Sequence, residues 1–161
     1  MDTLRLDPID HLAGTVTLPG SKSISNRALL LAAQAEGDTE LHNLLRSEDT
    51  THMIDALTEL GVELTVTGTT AHLTGRGGPL VREPGRHSLY LGLAGTALRP
   101  LTAALTLGQG EFVLDGSARM RERPIADLVD ALALLGARIH YLGEPGFPPV
   151  EVFGTGLDGG T

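Results

Sequence analysis

The sequence predicts an α/β fold of the α+β kind, with helices packed against small mixed sheets, built from two copies of one helix-strand-helix-strand-strand unit. Two observations carry this. Helical apolar stripes, Met53, Ala56, Leu57 and Leu60 in one case and Leu128, Val129, Leu132 and Leu135 in the other, each end at a glycine, Gly61 and Gly136, 75 positions apart. Each stripe is then followed by two short alternating segments, residues 62–66 with 71–74 and residues 138–142 with 150–153, which read as strands. The length, 161 residues, suits one ordinary domain that buries roughly 68 to 70% of its unfolded surface.

Taken in order, residues 1–18 stand outside both copies, with strand-like residues 3–6 and 15–18 before the turn signal Pro19-Gly20. A helix over residues 22–35, a strand over 39–45, the first stripe and its two strands make copy one. A helix over residues 96–107, a strand over 111–114, the second stripe over 125–135 and its two strands make copy two. Gly61 and Gly136 sit where a left-handed residue would cap each helix. The tail, residues 154–161, has four glycines and reads as a linker cut short.

Composition narrows the function classes. The formal net charge is −8 and aromatics make up 3% of the chain, which excludes the basic, ring-bearing face that nucleic acid demands. Cysteine is absent, so neither disulfides nor thiolate chemistry is available, and an intracellular, cytoplasmic setting is expected. No signal peptide or membrane-length apolar run is predicted, so a soluble protein is expected. The six histidines, at 11, 42, 52, 72, 87 and 140, lack metal-ligand spacing, and no metal or cofactor is predicted.

Charge is unevenly placed. Residues 11–35 contain Lys22 and Arg27 but no acid, although 20 acids in the chain predict about three in such a window. Residues 84–110 hold Arg86 and Arg99 with no acid, and Arg119, Arg121 and Arg123 crowd a single Glu122 just beyond. Basic patches on an acidic chain point to a small anionic ligand, with chance clustering as the competing reading.

Three places gather the chemistry. The run from Ser21 to Arg27 opens a helix, so free N–H groups, hydroxyls and two cations meet at its start; Ser23 and Arg27 are four apart on one face, and Lys22 is the only lysine in the chain. It is not a Walker loop, because the glycine spacing is wrong. Gly95 opens the helix that carries Pro100 and lets a ligand approach the backbone. The arginines from 119 to 123 suit bidentate phosphate or carboxylate recognition, with Pro124 expected at the first helical position. The alternatives are a capped surface helix, a plain glycine turn and a solvated basic turn. In Ser47-Glu48-Asp49 the two acids read as stabilised by a helix start, without a role in function.

The stretch from Leu18 to Ala33, LPGSKSISNRALLLAA, closely resembles the N-terminal signature of 5-enolpyruvylshikimate-3-phosphate synthases, also called 3-phosphoshikimate 1-carboxyvinyltransferases. The resemblance continues through Asn43-Leu44-Leu45, His52-Met53, Ala94 to Leu101, Arg123-Pro124-Ile125 and Leu128 to Leu132, and covers essentially the whole chain. It implies the enolpyruvyl transferase fold, two similar domains of three βαβαββ units each, with two units of one domain present here. Residues 1–20 would then supply first strands and a hinge belonging to the other domain, and residues 21–161 an incomplete substrate-binding domain.

The resemblance also implies a reaction of the shikimate pathway toward chorismate and the aromatic amino acids. The 5-hydroxyl of shikimate 3-phosphate adds to phosphoenolpyruvate and phosphate leaves, without metal or organic cofactor. By motif position Lys22, Ser23 and Arg27 meet shikimate 3-phosphate, while Lys22, Gly95 and Arg123 meet phosphoenolpyruvate. The acid and base groups of the family lie beyond residue 161, so no catalytic residue is assigned and the chain alone is expected to be silent. Its expected partners are these two substrates, the remaining half of a longer enzyme, or another copy through exposed apolar surface. The alternatives are a non-catalytic phospho-ligand-binding fragment and the related enzyme acting on a UDP-aminosugar, which lacks the Ser-Lys-Ser-x-Ser-Asn-Arg opening. Leu93 stands where the family commonly has asparagine, which puts the loop geometry in question. Glyphosate is the family's known inhibitor.

Overall fold

The computed structural model describes residues 3–159. Copy one runs α1 (Lys22–Gln34), β1 (Glu36–Leu41), α2 (Glu48–Glu59), β2 (Glu63–Thr67) and β3 (Thr70–Arg76). Copy two runs β4 (Arg86–Tyr90), α3 (Gly95–Leu105), β5 (Gly110–Asp115), α4 (Ala126–Leu134), β6 (Arg138–Tyr141) and β7 (Val150–Gly154). The first sheet is antiparallel in the order β1-β3-β2. The second has the order β4-β5-β7-β6, with β4 parallel to β5 and the other pairs antiparallel.

The two copies share one core. α1 packs on α2 and on α3, α2 packs on α3, and α3 lies against β5 and β7 of its own sheet. Leu29 and Ala33 of α1, Met53 and Leu57 of α2, Leu98 and Leu101 of α3 and Phe112 and Leu114 of β5 are all buried within this one cluster. Neither copy covers its own helices, so the second helix pair supplies the missing apolar surface. Gly61 and Gly136, which close the two stripes, have φ of 78° and 95°, the left-handed geometry that only glycine adopts freely at a helix C-terminus. Among the described residues no helix is long and apolar enough to cross a membrane.

Several boundaries differ from the sequence reading. The two strands expected in residues 3–6 and 15–18 do not form: neither pairs with anything, and Leu4, Leu6, Val16 and Leu18 are 74 to 82% exposed. An extended segment without a neighbour leaves its backbone N–H and C=O groups to water, so composition alone cannot make it a strand. The strand expected over residues 39–45 lies over Glu36–Leu41 instead. Asn43 turns to φ 55°, ending the extended run, and Leu44 drops into the core.

The strand β4 was absent from the sequence reading. Only Leu89 of its five residues is buried, so no apolar alternation marks it. With β4 included, copy two is a complete βαβαββ unit, whereas copy one lacks the strand before its first helix among the described residues. Pro100 is the sixth residue of α3 rather than part of its first turn, and Pro124 precedes Ile125, the N-cap of α4.

Candidate functional site

The first turn of α1 sorts its side chains by face. Ser21 caps the helix by accepting from the Ile24 N–H at 3.5 Å, and no acid lies in the first turn. Ser25 and Asn26 are buried, while Lys22 and Arg27 are exposed and Ser23 is half-buried between them. Ser25 Oγ accepts from the Leu45 N–H at 3.1 Å, which fastens α1 to the loop before α2. Arg27 meets no carboxylate within ion-pair distance among the described residues.

Asn26 joins three helix starts. Its side-chain amide donates to Thr96 Oγ1 at 2.9 Å, in the first turn of α3, and to the main-chain carbonyl of Asp49 at 3.5 Å, in the first turn of α2. Lys22 Nζ lies 3.2 Å from Asp49 Oδ2, and Thr96 Oγ1 lies 3.5 Å from the same oxygen. The positive dipole ends of α1, α2 and α3 thus meet in one place, a setting that favours an anion.

Gly95 and Arg123 are also brought together. Arg123 Nη1 donates to the Leu93 carbonyl at 3.0 Å, and a Cβ placed on Gly95 would stand 3.3 Å from that nitrogen. Arg99 Nη2 donates to the Pro124 carbonyl at 2.6 Å, putting a second guanidinium beside the start of α3. Leu93 takes part through its main chain, and its side chain is 42% exposed. The loop from Leu91 to Gly95 is held by the Ala94 N–H on the Leu91 carbonyl and the Gly95 N–H on the Leu93 carbonyl, both at 2.8 Å, so its shape does not depend on a side-chain amide at position 93.

The three clustered arginines are not equivalent. Arg119 pairs with Glu122, and Arg121 grips Asp115 with two bonds of 2.9 and 2.6 Å. Arg123 alone of the three has no carboxylate partner among the described residues. A guanidinium held only by a neutral carbonyl remains available to an anion.

Burial pushes the Asp115 carboxyl up, but the Arg121 fork and the Gly116 N–H outweigh this and hold it below the usual carboxylate range. A carboxyl lowered on folding stabilises the native state above its unfolded pKa and loses that contribution as pH falls through the folded value. Asp115→Asn is therefore expected to lower stability at neutral pH by less than about 1 kcal/mol, because the pair is solvent-screened. The gap to wild type should narrow as pH falls from neutral through the lowered carboxyl pKa. Urea midpoints of the two proteins across that range check this; a gap that persists in acid would contradict it.

The concavity on the first sheet fits an anion poorly. A groove of about 580 Å³ on the outer face of the first sheet is lined by Asp38, Glu40 and Glu63 with His72, and three carboxylates repel phosphate. No cluster of three or more His, Cys, Asp or Glu able to hold a metal occurs among the described residues. Asp49 is the residue that sequence reasoning passed over. An acid in the second position of a helix explains itself, and only the fold places it against Lys22 and Thr96.

Residues 6–161 match the family model described as EPSP synthase (3-phosphoshikimate 1-carboxyvinyltransferase). The chain is 57% identical over 162 residues to the 3-phosphoshikimate 1-carboxyvinyltransferase of Shewanella amazonensis, and 57% identical over 162 residues to that of Shewanella loihica. Each match takes in 99% of this chain and 38% of the relative, so the chain spans well under half the length of these curated relatives. Among solved structures, an EPSP synthase from Acinetobacter baumannii superposes with a TM-score of 0.81 at 33% identity, covering 88% of this chain and 32% of that one. With its repeat architecture, its cationic helix starts and a family match over nearly its whole length, the chain belongs to the EPSP synthase family.

Proposed function

We propose that this chain carries one wall of the site at which the enolpyruvyl group of phosphoenolpyruvate is transferred to the 5-hydroxyl of shikimate 3-phosphate. The observation that carries the reading is the convergence of three helix N-termini on Lys22, with Arg123 at the loop before α3 meeting no carboxylate among the described residues. Lys22, Ser23 and Arg27 receive shikimate 3-phosphate; Lys22, Gly95 and Arg123 receive phosphoenolpyruvate. Two polyanions repel each other, so a surface that supplies cations and N–H dipoles in fixed positions can hold them in reacting geometry.

The transfer also needs groups that give and take protons. Lys22, Arg27, Arg99 and Arg123 are cations, and Asp49, the carboxylate that meets Lys22, is already engaged by it. The acid and base are therefore assigned to a facing wall formed by another part of the family-length chain. Residues 1–20 go with that second domain, which gives their exposed leucines, isoleucine and valine a partner. A second copy of the chain is the other candidate cover for the same surface.

Incubated with both substrates, the chain is expected to bind shikimate 3-phosphate yet release no inorganic phosphate above background. Sustained phosphate release by the chain alone would overturn the one-wall reading. Binding a UDP-aminosugar in preference to shikimate 3-phosphate would favour the related transferase, a reading that the names of the curated relatives do not support.

A further inference from the structure

We propose that Asp49, fixed by Thr96 and Asn26, is a positioning residue that holds the Lys22 ammonium over the converging helix starts before any ligand arrives. The inference rests on the proposed site and adds to it the device that sets its central cation.

The two acids that open α2 behave differently. The Glu48 side chain is 80% exposed, as a dipole-stabilising acid at a helix start needs to be, whereas that of Asp49 is 19% exposed and turned toward α1 and α3. Its Oδ2 meets Lys22 Nζ at 3.2 Å and Thr96 Oγ1 at 3.5 Å.

The direction of the hydrogen bonds follows from the donors available. Asn26 is fully buried, and its side chain reaches the Asp49 main-chain carbonyl, an acceptor that only the NH₂ end of the amide can satisfy. That same NH₂ donates to Thr96 Oγ1 at 2.9 Å. With its oxygen accepting, Thr96 uses its single proton toward the Asp49 carboxylate. A one-way relay runs from Asn26 through Thr96 to Asp49, ending on the ammonium of Lys22, and it crosses from α1 to α3 to α2 and back to α1.

The consequence is pre-organisation. A free lysine side chain samples many rotamers, and the entropy lost on gripping a ligand subtracts from affinity. A lysine already held in place loses less. Thr96 makes the cleanest test because Thr96→Val keeps shape and every charge while removing the hydroxyl, and Thr96→Ser restores the hydroxyl.

Lys22 is the only lysine in the chain, so selective nitrogen labelling of lysine yields a single side-chain ammonium correlation in the NMR spectrum. In the wild-type chain that signal is expected to be sharper and slower to exchange with solvent than in variants that lack the Asp49 contact. Thr96→Val and Asp49→Asn should broaden it or exchange it away, with Thr96→Ser returning it. In a titration with phosphoenolpyruvate, Thr96→Val is expected to bind about fivefold more weakly, the effect of one neutral hydrogen bond, and Thr96→Ser near wild type. A Lys22 signal indifferent to both Thr96→Val and Asp49→Asn in folded protein would overturn the proposal, whatever the ligand does. Failure of the wild-type chain to bind phosphoenolpyruvate while the signal still responds would instead count against the proposed function and leave the relay standing.

Discussion

Arg27→Ala is expected to weaken binding of shikimate 3-phosphate by roughly ten- to a hundredfold, the loss of one charge-assisted contact to a phosphate, while leaving thermal stability unchanged. Arg27 is exposed on the outer face of α1 and pairs with no carboxylate among the described residues, so the fold does not lean on it. Its neighbours on the same helix do the structural work: Ser25 ties down Leu45, Asn26 bridges to α3, and Leu29 and Leu30 enter the core. A guanidinium without a carboxylate partner among the described residues, five residues along α1 from Lys22, is best explained by a partner that comes from solution. Calorimetric titration of wild type and variant, with melting curves on the same samples, separates the two effects. Equal affinity in the two proteins would remove Arg27 from the site.

Gly75→Ala is expected to destabilise the protein by about 3 kcal/mol, at the upper end of the cost of overpacking a close-packed interior. A Cβ at that position would stand 2.2 Å from the Ala35 carbonyl oxygen and 2.4 Å from that of Ala32. Those atoms are backbone at the end of α1, and they cannot swing aside as a side-chain tip can. Relief requires β3 to separate from α1, and α1 carries the site. A change of this size lowers the melting temperature by about 6 to 12 °C for a chain of this length. The same substitution at Gly68, a turn position with nothing within 4 Å of an added Cβ, controls for glycine replacement in general. Its cost should be confined to backbone strain at φ 60°. If Gly75→Ala melts like wild type, the close packing of α1 on β3 is wrong.

Legibility of the fold in the sequence followed burial. The helices α2 and α4 declared themselves because Met53, Leu57, Val129 and Leu132 repeat at helical spacing and face a core. The hairpin of β2 and β3 alternates cleanly because one face of the first sheet is solvated. What stayed hidden depended on partners distant in the chain. β4 is an edge strand with one buried side chain, and only its parallel pairing with β5 makes it a strand. Residues 3–6 and 15–18 have the composition of strands and no ladder to join.

The candidate site divides along the same line. Lys22, Arg27, Gly95 and Arg123 could be singled out from charge gaps and helix starts, because helix N-termini concentrate unsatisfied N–H groups wherever they point. That Arg119 and Arg121 are occupied by Glu122 and Asp115 while Arg123 is not could not be read from three arginines in five residues. Asp49 was hidden for a related reason: its partners lie 27 positions before it and 47 after it, counting to Lys22 and Thr96.

One surface, made by the first turns of α1 and α3 and the loop at Arg123, is proposed to receive both substrates. Backbone amide shifts mapped during separate additions of shikimate 3-phosphate and phosphoenolpyruvate test it most directly. Shikimate 3-phosphate should move the amides from Lys22 to Arg27, phosphoenolpyruvate those of Gly95, Thr96 and Arg123, and both should move Lys22. Shifts confined to the outer face of the first sheet around Glu40 and Glu63, or identical changes with inorganic phosphate alone, would contradict it.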